Sequence, residues 1–144
     1  MILVQTEDFN LAALLANFAK DDASVGAVAS FLGRVRGEGI TAMTLEHYPG
    51  MTEKSLAALE TQAHARWPLA QVLIVHRVGR LLPGDNIVLV ATASAHRAAA
   101  LAACDFLVDW LKTHAPFWKL EETADGAQWV AAKASDDAAA QRWL

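Results

Sequence analysis

The sequence predicts an α+β fold in which helices pack on a mixed or antiparallel sheet. Two observations of pattern carry this expectation. From the N-terminus to about residue 113, strand-like stretches alternate with helical ones. Beyond Pro116, two strand-like stretches flank the short turn "ADGA", which is a hairpin pattern and not a crossover. A third observation is compositional: 144 residues with 54% hydrophobic and 19% charged side chains suffice for one real core, so residues 1–144 are expected to fold as one domain.

The elements follow in order. "MILVQ" reads as a short first strand, and "NLAALLANFAK" as a helix with Asn10 or Asp8 available as a cap. "SVGAVASFLG" is small and apolar, consistent with a buried strand. "GRVRGEG" then sets Arg34 and Arg36 among three glycines, a loop or strand end. "TAMTLEHY" alternates Met43, Leu45 and His47 against Thr44, Glu46 and Tyr48, as a half-buried strand does. Pro49 and Gly50 break it, and a helix through Trp67 follows, with Thr52 the candidate N-cap and Pro68 its stop. "QVLIVHRVG" is β-rich, "LLPGDN" is a turn and "IVLVATAS" is another apolar strand. Ser94 is placed to cap the long helix "AHRAAALAACDFLVDWLKTH". "FWKLEE", "QWVAAK" and a last helix, "SDDAAAQRWL", complete the chain.

The formal charge of −4 argues against a nucleic-acid coat, which advertises a basic surface. One cysteine, Cys104, makes no internal disulfide, and no Cys/His cluster has zinc spacing. In its apolar helical pattern Cys104 reads as core and not as a nucleophile. The first residues lack a basic, then apolar, leader pattern, and no apolar run approaches a membrane span. The cytoplasm is the expected compartment, with no membrane and no nucleic acid as partner.

The basic residues are concentrated in few places. In "LKTHAPFWK", Lys112 ends a helix and Lys119 follows the stiff sequence Pro116–Phe117–Trp118. Surface lysines are common, but an ammonium beside aromatics is partly desolvated, which suits an acid, a base or a nucleophile. In "SAHR", His96 and Arg97 fall in the first helical turn, where free backbone N–H groups favour an anion such as phosphate. Arg34 and Arg36 alternate onto one side of an extended chain, where two guanidiniums can clamp a phosphate or carboxylate. Solvated charge is the plain alternative for each. His47 suits catalysis and core packing equally.

Three stretches in order, "LEHYPGMTEKSL" (45–56), "SAHRAAA" (94–100) and "LKTHAPFWK" (111–119), resemble the large, catalytic subunit of molybdopterin synthase. The likeness runs from about Gly26 to Trp143. It implies an α/β hammerhead and a sulfurtransferase of molybdenum cofactor biosynthesis. Sulfur comes from the C-terminal Gly-Gly thiocarboxylate of a small ubiquitin-like partner and builds the dithiolene on cyclic pyranopterin monophosphate. It implies a homodimer with one small subunit at each end, a heterotetramer, and no resident cofactor or metal. The family's two functional lysines fall on Lys112 and Lys119, its loop arginine on Arg36, and its His-Arg pair on His96 and Arg97. Leu120 stands where members often carry a basic residue, and Lys133 is a further basic position. The rival readings are a scaffold that only grips the ubiquitin-like carrier, and an unrelated phosphoester enzyme using His96.

One expectation about assembly follows from spacing. Arg97 and Lys112 are 15 residues apart on one helix, roughly 22 Å. A site using both is therefore expected to be composite, with the lysines from one subunit and His96 and Arg97 from its two-fold mate.

Overall fold

The structure is a computed structural model that describes residues 1–114, 116–130 and 134–144; Lys133 lies outside the described residues. It has the expected α+β class, with four helices and two sheets among those residues. Its elements are β1 (Ile2–Gln5), α1 (Leu11–Asn17), β2 (Ala27–Arg34), β3 (Ala42–His47), α2 (Met51–Arg66) and β4 (Leu69–Arg77). After these come β5 (Gly79–Leu81), β6 (Asn86–Ser94), α3 (Arg97–Thr113), β7 (Phe117–Thr123), β8 (Gly126–Val130) and α4 (Ala134–Gln141).

The first sheet has the order β1-β4-β6-β2. β1 runs parallel to β4, and β6 is antiparallel to both β4 and β2. β4 and β6 read as continuous apolar runs because both of their faces are covered. Val72, Ile74, Val88 and Val90 join Leu56 and Leu59 of α2 and Phe106 and Leu107 of α3 in one cluster. The alternate residues Leu73, Val75, Leu89 and Ala91 face Phe9 and Phe18, which flank α1. Phe106 is fully buried, edge-on to Trp67 and Trp143, so its truncation to Ala costs about 3–5 kcal/mol.

The second sheet, β5-β3-β7-β8, is antiparallel throughout. Its buried face carries Met43, Leu45 and Leu81. β5 has no counterpart among the elements expected from sequence, since three residues are too few to show a two-residue period.

The expected helix cap is present at α1 and absent at α2 and α3. The Asn10 side chain accepts from Ala13 N at 3.0 Å, as an N-cap does. At α2 the cap is Gly50, at φ 86°, and the Glu53 carboxylate accepts from its N–H at 2.6 Å. Thr52 instead turns inward, fully buried, and its hydroxyl donates to Tyr48 O. Ser94 is the last residue of β6, donating to Pro68 O at 2.9 Å, and the α3 cap falls on His96. In both cases a long-range or inward carbonyl outcompetes the local cap.

The C-terminus is tied down. Arg142 pairs with Asp105 and Asp109 of α3, and the Trp143 indole N–H donates to the same Asp109 carboxylate. Arg66 donates to Trp143 O and lies over the Phe106 ring.

Candidate active site

The antiparallel register decides which basic residues share an end of the first sheet. Arg34 of β2 pairs with Asn86, and His76 of β4 pairs with Val88, so both strands finish beside the start of β6. α3 begins after the opposite end of β6, then packs back along β2 and β6. Its C-terminal residue Lys112 acts electrostatically on His76, so α3 finishes at the His76 end. Arg36, Lys112 and the start of β7 are thus at one end, and His96 and Arg97 are at the other.

The lysine corner is built from β7. Its register against β3 sets Phe117 opposite His47 and Lys119 opposite Leu45. Phe117, Lys119 and Glu121 alternate onto the inner face of that strand, about 6.8 Å apart in succession. Lys119 is about one-third exposed, with its Nζ 3.7 Å from a Glu121 carboxylate oxygen. Trp118 takes the other face and packs edge-on against Tyr48. The two aromatics therefore lie on opposite faces of β7, and of the pair Phe117 shares the Lys119 face. Tyr48, Trp118 and Trp129 leave an exposed aromatic surface on the outer side.

A residue without a distinctive sequence motif completes the corner. His76 lies near the end of β4, is 7% exposed, and stacks on Phe117 at 4.0 Å between centroids and 16° between planes. Its Nδ1 lies 2.7 Å from Arg77 O. A carbonyl only accepts, so Nδ1 carries the hydrogen and the neutral ring keeps its lone pair on Nε2. Burial, above all, holds its pKa down at about 4, and Lys112 and His47 add to the depression. The available signal was one imidazole directly after the apolar run Val72–Val75 of β4. His47 is fixed too: the Thr52 hydroxyl spends its hydrogen on Tyr48 O, so it accepts from His47 Nδ1 at 3.1 Å.

The arginines divide in role. Arg34 donates from Nε and Nη2 to Gly84 O, which ties the β5–β6 turn to β2. Val35 is buried between the two, and Arg36 is exposed beyond it, with no ion pair or hydrogen-bond partner for its guanidinium among the described residues. At the far end, His96 and Arg97 are exposed, and among the described residues no side chain caps the first turn of α3. Free N–H groups with an adjacent guanidinium suit a phosphate. Cys104 is buried, and burial pushes its thiol up to about 11, so it is no nucleophile near neutral pH.

Known proteins share the sequence pattern and the fold. The MoaE protein family matches residues 4–114. A curated molybdopterin synthase catalytic subunit of Ralstonia nicotianae is 53% identical, covering 99% of this chain and 83% of its own. The solved molybdopterin biosynthesis MoaE protein of Burkholderia ambifaria superposes with a TM-score of 0.86 at 54% identity, over 99% of this chain and 97% of that one. A protein–protein complex of subunits 1 and 2 of molybdopterin-converting factor from Helicobacter pylori shares the fold, with a TM-score of 0.74 at 19% identity over 92% and 90% of the two chains. With more than half its length matched and half its residues identical to such relatives, the chain belongs to the MoaE family, the family of molybdopterin synthase catalytic subunits.

Proposed function

We propose that this chain is the sulfur-transferring subunit of a molybdopterin synthase. It takes sulfur from the C-terminal thiocarboxylate of a small ubiquitin-like carrier and delivers it to cyclic pyranopterin monophosphate. A dithiolene holds two sulfurs, so two thiocarboxylates are consumed per product. The observation that carries the reading is the convergence of Lys112 and the β7 face bearing Lys119 on one corner around the His76–Phe117 stack. In this reading Lys119 holds the thiocarboxylate or the reacting oxygen and moves a proton at the C–S step, with Lys112 adding positive charge beside it. Arg36, His96 and Arg97 bind the phosphate and the pterin.

The site is composite. α3 is unbroken from Arg97 to Thr113, so the two groups of basic residues sit at opposite ends of one rigid element. A two-fold mate brings its His96 and Arg97 to the lysine corner, giving two sites per dimer and one carrier at each, a heterotetramer. The Helicobacter pylori structure is a complex of two different subunits, which agrees with a carrier on a separate chain. No described helix is long and apolar enough to cross a membrane, and the cytoplasm is the compartment we assign.

The test is reconstitution: the purified chain, cyclic pyranopterin monophosphate and thiocarboxylated carrier, with dithiolene product measured. Product formation is expected. Carrier binding without product, in protein competent to bind both, would establish the scaffold reading instead.

A further inference from the structure

Four described polar side chains are buried: Thr52, His76, Thr92 and Ser94. Three are hydroxyls that donate to the backbone carbonyls of Tyr48, Ala100 and Pro68, and these bonds account for them structurally. His76 is the titratable member, and it is the one that touches the lysine corner. Its Nδ1–H bond to Arg77 O fixes the ring's rotation. Its flat face meets Phe117 at 4.0 Å, closer than the roughly 4.5–7 Å usual for aromatic pairs. Phe117 on β7 stacks on it and is itself 6.5 Å from the His47 ring of β3, while the charge of Lys112 on α3 is felt at the same ring.

Phe117 is the first residue of β7, and Lys119 is the next residue on its face. Whatever fixes Phe117 sets the angle at which β7 starts, and with it the direction in which the Lys119 side chain leaves the strand. We propose that His76 is a positioning residue of the lysine site: its buried, flat ring, stacked under Phe117, fixes the start of β7 and so aims Lys119. A phenylalanine there would stack without the tie, and an asparagine would keep a donor without the stack. The inference rests on Lys119 acting in catalysis.

The experiment compares His76→Ala, His76→Asn and His76→Phe with the parent chain in the reconstituted assay, per folded protein as scored by near-ultraviolet circular dichroism. His76→Ala and His76→Asn are expected to lose about 10-fold or more in kcat, the scale on which a small misplacement acts. Their KM for cyclic pyranopterin monophosphate and their affinity for the carrier should stay within about twofold. His76→Phe is expected to restore most of kcat, a rescue that a general loss of stability would not give. Parent-like kcat in His76→Ala, or a His76→Phe protein as slow as His76→Asn, overturns the proposal; where the alanine variant does not fold, the Phe and Asn pair decides it. Lys119→Ala run in parallel separates the two layers. An active Lys119→Ala protein removes the reading of Lys119, whereas an inactive one beside normal His76 variants removes only the inference about His76.

Discussion

If the site is composite, two dead proteins should make a live one. The perturbations are Lys119→Ala, which damages the lysine corner, and Arg97→Ala, which damages the far end of α3. Two lengths in the structure separate these positions. From Arg97 to Lys112 the unbroken helix rises over 15 residues, roughly 22 Å at 1.5 Å each. β6, which connects the same two ends, has nine residues, so its eight steps of about 3.4 Å span ~27 Å. Helical side chains all tilt toward the N-terminus, so Arg97 and Lys112 lean the same way and do not converge. One pterin monophosphate does not bridge that distance within a single chain.

The expected magnitude follows from counting sites. After random exchange of equal amounts, about half of the dimers are mixed, and in each mixed dimer one site carries both lesions and the other carries none. Recovery should therefore approach about one quarter of the parent activity, set against a loss of ~100-fold in Lys119→Ala alone and weakened substrate binding in Arg97→Ala alone. The assay is dithiolene formation after mixing, with exchange followed by native mass spectrometry of mass-tagged subunits. Proven exchange without recovery would refute the composite site and place all five basic residues' work within single chains.

Three further outcomes are expected. Lys119→Ala, with its fold intact, should lower turnover at least ~100-fold while leaving carrier binding in place; near-parent turnover would end its assignment. Removing charge at Arg36, His96 and Arg97 together should weaken substrate binding far more than carrier docking, measured by calorimetry with each ligand, and unchanged substrate affinity would put the phosphate elsewhere. The third concerns acid stability. His76 is held at about 4, chiefly by burial, against an ordinary 6.5. As pH falls through that window the unfolded chain takes up a proton that the folded chain refuses, so stability present above pH 6.5 is lost toward pH 4, by about 2 kcal/mol between pH 7 and 4.5. Urea unfolding at those two values should show this extra loss in the parent and not in His76→Phe; equal losses in both would contradict it.

What the sequence determined by itself was local or chemical. Apolar alternation placed β3, and short continuous apolar runs placed the buried strands β4 and β6, because both patterns are carried by neighbouring residues of one element. Asn10 was legible as a cap because its hydrogen bond closes within three residues. Lys112, Lys119, Arg36, His96 and Arg97 stood out through the "LKTHAPFWK", "SAHR" and "GRVRGEG" stretches, where unusual residue types lie side by side. The tertiary structure alone decided what depends on partners distant in sequence. Thr52 and Ser94 left their apparent caps for other carbonyls. Pairing of β7 with β3 decided which face of the strand is the inner one, setting Trp118 against Tyr48 outside and leaving Phe117 as the ring of that pair on the lysine face. His76 acquired its place at the corner through contacts with residues 36 to 41 positions later in the chain, a separation at which no local pattern carries information. The separation of Arg97 from Lys112 was legible from the length of one helix, but that Arg36 shares the Lys112 end was set by the register of β2, β4 and β6, since only strand pairing fixes which segment ends meet.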